Sequence, residues 1–333
     1  MAWRNPHYDP HKPHHTPQGF RNPDPDTRGS GDLRRWRRER REQGLPKPPA
    51  GGYDAFRSAW CGQADFGGGE DAAWWLGHAS VLLRVGERTV LTDPILSGRA
   101  SPLRFAGPQR RTPPAATVAT LPPIDAVLLS HNHYDHLDYD SIRRLVRRFP
   151  DAAFLVPLGL GDWLRRRGAR SVHELDWWDA TEVHGLRFDC APARHWSART
   201  PWDTNRSLWC GWTVRRAAFA FYFAGDTGWS ERLGEIARLG PFDLAAIPIG
   251  AYSPRWFMRG QHIDPAEAVR LHRAVGARRS IGIHWGTFEL ADDALDEPPR
   301  LLADARRAAS LADEAFRTVR IGERIVWANA SSV

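Results

Sequence analysis

Cysteine is scarce in this chain, with only three among 333 residues. Cys61, Cys190 and Cys210 form no C-x-x-C pair and their number is odd. That argues against a disulfide scaffold and against a zinc–thiolate site. Cys190 and Cys210 fall in strand-like runs and read as buried thiols, which suits a reducing compartment. Long apolar runs are also missing: none approaches a membrane span. The start, Met1 to His7, lacks the apolar stretch of a secretory signal. The expectation is a cytoplasmic protein, at most peripheral to the inner face of a membrane. No Gly-rich turn follows the first strand to open a helix, which disfavours a Rossmann fold, and no short-period repeat is present. Net charge is small outside the amino-terminal segment. Of the formal +7, residues 1–50 carry a net +5 from 11 Lys and Arg against 6 Asp and Glu. The remainder is near neutral and shows no basic–aromatic platform, so no nucleic-acid partner is expected.

Hydrophobic residues make up 42% of the sequence, and its length allows a full core. Residues 1–50 are rich in Pro, Arg, Asp and Gly and read as a basic arm, extended or partly helical, that stays outside any core. Within it, Asp32 is positioned to cap a helix from Leu33 to Gln43 that Gly44 ends. Leu33 and Trp36 share one face of that helix amid Arg34, Arg35, Arg37, Arg38, Arg40 and Arg41. Such a helix can rest on anionic lipid, or it can be a solvated charge run. His11, His14 and His15 read as polar tail residues, with adventitious metal binding as the alternative.

Residues 51–333 read as one large domain. Strands are expected at Trp74–Leu76, Ser80–Val85, Thr89–Asp93, Asp125–Ser130, Phe154–Val156, Val172–Leu175, Arg187–Ala191, Trp209–Val214, Phe219–Ala224, Leu244–Ile249, Ser280–Ile283 and Thr318–Trp327. Helices are expected at Tyr139–Phe149, Leu160–Arg167, Glu231–Leu239, Pro265–Val275 and Pro298–Ala308. In the first of these, Ile142, Leu145, Val146 and Phe149 recur at three and four, with arginines between them. Strands cluster in two stretches, each followed by helices. Two sheets packed face to face with helices outside accommodate this order.

His131-Asn132-His133-Tyr134-Asp135-His136 puts three imidazoles and a carboxylate into six residues. It follows the apolar run Ala126 to Leu129, which reads as a strand buried on both faces. Neutral imidazole with carboxylate suits zinc and similar first-row metals. Three more candidate strands end in a possible ligand: His195, Asp226 and His284. Seven ligands exceed the needs of one tetrahedral zinc. They fit two metals bridged by one carboxylate and one water-derived hydroxide, an arrangement used for hydrolytic displacement at phosphorus or carbonyl carbon.

The run His131-x-His133-x-Asp135-His136, with His195, Asp226 and His284, resembles the metallo-β-lactamase superfamily. Longer strings resemble its N-acyl-phosphatidylethanolamine phospholipase D branch. They are Leu129 to Tyr139, Val156 to Leu160, Leu175 to Trp178, Phe223 to Gly228, Asp243 to Arg259, Gln261 to Pro265 and Ile283 to Phe288. The resemblance runs from about residue 70 to the end. It implies a four-layer αββα sandwich with two Zn2+, other divalent first-row metals being open. One metal would be held by His131, His133 and His195. The other would be held by Asp135, His136 and His284, with Asp226 bridging. Asp135, Asp226 and His262 would be catalytic. Tyr134, Arg255, Trp256, Phe257, Gln261 and His262 would bind substrate, the aromatic run as a loop for acyl chains with arginines facing phosphate at its edges. Asp138 would either hold a ligand histidine or cap the following helix. The implied reaction is phospholipase D-type cleavage of N-acyl-phosphatidylethanolamine to N-acylethanolamine and phosphatidic acid. Implied partners are the phospholipid, a membrane surface reached through the basic arm, and a second copy of the chain, a monomer staying open. Competing readings are a lactonase or phosphodiesterase acting on a small soluble ester, a nuclease, and a membrane-binding protein whose metals only stabilise the fold.

Overall fold

Short turns between apolar runs build two seven-stranded sheets. The structure is a computed structural model that describes residues 3–25 and 28–327. Residues 1, 2, 26 and 27 of the arm, and 328–333 at the carboxyl end, lie outside the described residues.

The arm opens with a small hairpin, β1 (His15–Thr16) and β2 (Gly19–Phe20), then helices α1 (Asp32–Gln43) and α2 (Gly52–Trp60). The first sheet follows with β3 (Ala72–Gly77), β4 (Ser80–Val85), β5 (Arg88–Thr92) and β6 (Ala126–Leu128). It continues through α3 (Tyr139–Arg148) to β7 (Ala153–Pro157), and through α4 (Gly161–Arg165) to β8 (Ser171–Leu175). The second sheet holds β9 (Ala180–Val183), β10 (Leu186–Ala191), β11 (Gly211–Arg216), β12 (Phe219–Phe223) and β13 (Leu244–Pro248). Short α5 (Arg255–Met258) and α6 (Pro265–Ala274) lead to β14 (Ser280–Ile283), then α7 (Glu297–Ala308) to β15 (Phe316–Arg317). The chain then crosses back, and β16 (Arg324–Val326) joins the first sheet beside β3.

Both sheets change character halfway. β3, β4 and β5 are antiparallel, whereas β5 to β8 run parallel. Likewise β9 to β12 are antiparallel and β12 to β15 parallel. Parallel neighbours need crossovers, which α3, α6 and α7 supply. The parallel halves also bring strand ends together. β5 and β6 finish at one edge of their sheet, and β10, β12 and β14 at one edge of theirs. The main core joins both sheets through fully buried side chains such as Val127, Leu128, Trp212 and Phe221. Hydrogen bonds cross between the sheets beside the loop after β6: Trp212 Nε1 donates to the Leu129 carbonyl, and the Cys210 N–H to that of Ser130, both at 2.9 Å.

Most expected elements form, and the differences have local causes. In α1, Gly31 takes the N-cap position with φ 105°, so Asp32 sits inside the helix and accepts from the Gly29 N–H at 2.6 Å. Helix α2 was not expected, although Tyr53, Phe56 and Trp60 recur at three and four and pack on the core. β9 has no buried residue and so no apolar run to mark it. Glu231–Leu239 winds as a 3₁₀ helix. Thr318–Trp327 is not one strand, because the turn at Gly322, φ 88°, divides it. Arg255–Met258 is a helical turn and not a loop.

The arm is the largest correction, for it is packed and not a free tail. Phe20 is buried in the main core, and its N–H donates to the Asn205 carbonyl at 2.8 Å. Asp176, just after β8, accepts from Lys12 at 2.5 Å and lies 2.7 Å from His14 Nε2 and 2.9 Å from His15 Nε2. Further on, Trp36 stacks on Phe257 at 5.0 Å and donates to Asp292 at 3.1 Å. The aromatic face that would have met lipid therefore meets protein, while Arg34, Arg35, Arg37, Arg38 and Arg41 stay exposed.

Candidate metal centre

The loop after β6 carries His131, His133, Asp135 and His136 into the space between the two sheets. There it meets His195 after β10, Asp226 after β12 and His284 after β14. All seven residues singled out for metal binding converge, and five of them are buried to 3% exposure or less.

They form two groups. In the first, His133 Nδ1 lies 2.7 Å from His131 Nε2 and 3.2 Å from His195 Nε2. The far nitrogens are already engaged: His131 Nδ1 with Ser130 Oγ, and His195 Nδ1 with the Gln261 carbonyl, both at 2.9 Å. That fixes each ring and directs its Nε2 inward. Burial holds His131 and His195 well below the ordinary imidazole range and His133 at about 4, so all three offer neutral lone pairs.

In the second group, Asp135 Oδ2 is 3.3 Å from His136 Nε2 and 3.4 Å from His284 Nε2. Asp226 Oδ2 is 3.1 Å from each of those nitrogens and 3.7 Å from His195 Nε2. It thus stands between the groups. Burial opposes charge on His284, but Asp226 and Asp135 overcome it and raise the ring to about 9. Burial likewise opposes charge on His136, and Asp226, Asp135 and Asp93 lift it well above its usual value. The carboxylates of this group therefore demand positive charge between them.

The donor set fits divalent cations. His136 Nε2, Asp226 Oδ1 and His284 Nε2 are buried without a hydrogen-bond partner. Orphaned polar atoms of this kind are costly unless something else is coordinated there. Nitrogen and oxygen donors without thiolate suit zinc, iron or manganese.

Two residues that the sequence reading missed join this centre. Asp93, at the end of β5, accepts from His136 Nδ1 at 2.7 Å and from the Ser130 N–H at 2.7 Å. It does the job considered for Asp138. Asp138 instead caps α3, accepting from the Ser141 N–H at 3.1 Å, and receives the Ser97 hydroxyl. Nothing in Thr92-Asp93-Pro94 beyond a strand-ending turn marked this role. His78, in the β3–β4 turn, places Nε2 3.0 Å from Asp135 Oδ2.

The expected substrate residues divide. His262 reaches the centre: its ring is 5.1 Å from His195, and Nδ1 is 3.9 Å from Asp226 and buried without a partner. Gln261 enters through its carbonyl on His195. The Tyr134 hydroxyl donates to the Arg199 carbonyl at 3.0 Å, with the Arg199 guanidinium 4.0 Å above its ring. Arg255 is committed inside the protein, to Glu267 at 2.7 Å, Asp264 at 3.3 Å and the His262 carbonyl at 2.8 Å. That corrects its expected phosphate-facing place. Trp256 lies under Arg35, and Phe257 is buried against Trp36 and Arg28.

The arm borders the same centre. Asn22 Nδ2 donates to the His195 carbonyl and Arg194 to that of Pro25, both at 2.8 Å. A cleft of about 480 Å3 beside Asn132 has Trp3, Pro6 and His7 along one wall and Trp163 and Arg199 on another. By contrast, the His14, His15 and Asp176 cluster is an ionic clamp. His15 Nδ1 accepts the Asp9 N–H at 3.1 Å, which puts the ring's proton on the nitrogen facing Asp176, and the Lys12 ammonium already supplies the cation.

A model of the β-lactamase superfamily domain matches residues 88–285. The N-acyl-phosphatidylethanolamine-hydrolysing phospholipase D 1 of Caenorhabditis elegans is 44% identical over 272 residues, covering 77% of this chain and 75% of that protein. The mitochondrial N-acyl-phosphatidylethanolamine-hydrolysing phospholipase D of Saccharomyces cerevisiae is 33% identical, but the match spans 68% of this chain and only half of the yeast protein. Among solved structures, an isothiocyanate hydrolase from Delia radicum gut bacteria shares the fold, with a TM-score of 0.61, 17% identity, and coverage of 77% of this chain and 98% of that one. The chain belongs to the β-lactamase superfamily and, within it, to the branch of the N-acyl-phosphatidylethanolamine-hydrolysing phospholipases D.

Proposed function

We propose that this chain is a two-cation phosphodiester hydrolase of the phospholipase D type. It cleaves N-acyl-phosphatidylethanolamine to N-acylethanolamine and phosphatidic acid. The observation that carries the reading is Asp226 Oδ2, placed 3.1 Å from both His136 and His284 and 3.7 Å from His195. One carboxylate reaching two donor groups is what a bridged pair of cations requires. The names of the worm and yeast relatives supply the substrate class.

In this reading His131, His133 and His195 hold one cation, and Asp135, His136 and His284 the other. Bound there, the cations lower the pKa of water between them and neutralise charge gathering on the phosphoryl oxygens. Asp93, Ser130 and Gln261 orient the rings. His262, kept neutral by burial at about 3, points an unpartnered nitrogen at the same space and contacts a phosphoryl oxygen. The exposed arginines of α1 face anionic lipid by charge alone.

A second reading keeps the centre and takes a small soluble ester or lactone. It is favoured by the covering of Trp256 and Phe257 by α1, which removes them from an acyl-chain surface. Mass spectrometry of products from N-acyl-phosphatidylethanolamine separates the two, using protein of known metal content with and without chelator. Chelator-sensitive release of N-acylethanolamine with phosphatidic acid supports the lipid reading. No release by fully loaded protein, with turnover of a soluble ester, replaces it.

A further inference from the structure

His78 belongs to no part of the motif, yet it is the most constrained residue around the second group. Its backbone is left-handed at φ 53°, an uncommon conformation for a residue with a side chain. Strain of this kind persists only where surrounding contacts over-determine it. Here the contacts are plain. The His78 N–H donates to Thr287 Oγ1 at 2.8 Å. Its carbonyl accepts from Trp75 Nε1 at 2.8 Å and from the His284 N–H at 2.9 Å. The ring is 2% exposed and is boxed by His284 at 4.1 Å, His136 at 5.3 Å and Phe288 at 5.3 Å. From that box Nε2 donates to Asp135 Oδ2 at 3.0 Å.

We propose that His78 is a positioning residue for the second cation, holding two of its ligands at once. Its carbonyl fixes the backbone of His284, which is itself left-handed at φ 60°, and its Nε2–H fixes the Asp135 carboxylate. His284 comes from the second sheet, while Asp135 lies on the loop after β6 of the first. One turn of the first sheet thereby sets the distance between ligands from both. A free Asp135 carboxylate would rotate about its side-chain torsions, and a fixed one meets the cation without that loss. The inference rests on the two-cation reading of the centre, but it concerns metal binding and is independent of substrate.

The test is metal content and cation affinity of purified protein, by elemental mass spectrometry and chelator competition with zinc. Wild type is expected to hold two cations. In His78→Ala one of them should weaken by about 10- to 100-fold, the range for loss of an outer partner, while the other is unchanged. His78→Gln, whose amide can donate to Asp135, should recover part of the loss. Equal affinity for both cations in wild type and His78→Ala overturns the proposal, as does parallel loss of both with a lowered Tm. Nitrogen-15 imidazole spectra of the loaded wild type decide the matter if the variants do not fold. A neutral ring protonated at Nε2 supports the role, and an unprotonated Nε2 refutes it. Wild type that binds fewer than two cations would instead sink the two-cation reading.

Discussion

Replacing Asp176 by Ala should detach the amino-terminal arm. Its carboxylate is 3% exposed and gathers Lys12 at 2.5 Å, His14 at 2.7 Å and His15 at 2.9 Å. Lys12 is 37% exposed, so solvent screening discounts its share. The histidine contacts carry the rest as hydrogen bonds to a buried carboxylate, each contributing about 1.5–3 kcal/mol. At the lower end, for one such bond, the arm would open roughly tenfold more often, since each 1.4 kcal/mol is about tenfold. The opening is local, because the main core has few arm residues in it. Limited tryptic cleavage at Arg21 reads it directly, with Asp176→Asn as an intermediate case. The acid response has a definite sign. Burial alone would raise Asp176, but hydrogen bonds from His14 and Lys12 hold it well below the usual carboxylate range. Its contribution is present above the ordinary carboxylate pKa and is lost as pH falls below it. Burial also lowers His15, so the detached arm takes up its proton first as pH falls through about 6.5. Both effects loosen the arm in acid. A cleavage rate at Arg21 that Asp176→Ala leaves within about twofold of wild type would refute the clamp.

Asp93→Ala should weaken metal binding by about 10- to 100-fold, because it removes the acceptor of His136 Nδ1; chelator competition checks this. Asp135→Asn should lower kcat by about 100-fold or more with unchanged circular dichroism, whereas a protein whose metals serve only the fold would have no turnover to lose. Cation loading must displace the protons that Asp226 and Asp135 hold on His284, at about 9, and on His136. Affinity should therefore rise with pH, and a flat profile between about pH 6 and about pH 8 would contradict the charge assignment.

The strand framework was readable because β6, β12, β13 and β14 are unbroken apolar runs whose ends carry polar residues. The same feature exposed His131 to His136, Asp226 and His284. Asp93 and His78 were not readable. Each meets its partner only through sheet pairing: β5 lies beside β6, and the β3–β4 turn reaches His284 on the other sheet. The arm misled for a different reason. Its composition is that of a disordered tail, but Phe20 in the core, the carboxylate of Asp176 and the stacking of Trp36 on Phe257 hold it. Local composition carries no signal for contacts 160 residues apart in the chain, such as Lys12 with Asp176, 164 positions on. Arg255 reads from sequence as a free cation because Asp264 and Glu267 lie beyond the turn that folds them back onto it.

The hydrogen bonds from Trp212 and Cys210 across to the other sheet act as a gauge. Trp212 and Cys210 hold the carbonyls of Leu129 and Ser130, the last two residues before His131. The metal loop thus takes its origin from both sheets, because its own sheet holds the N–H groups of Leu129 and Ser130 through Leu155 and Asp93. Any substitution on β11 that shifts the sheets apart will be read at the ligands as a change of span between His131 and Asp226. The calibration of the centre is therefore distributed through the core, and residues such as Trp212 that touch no ligand set its tolerance.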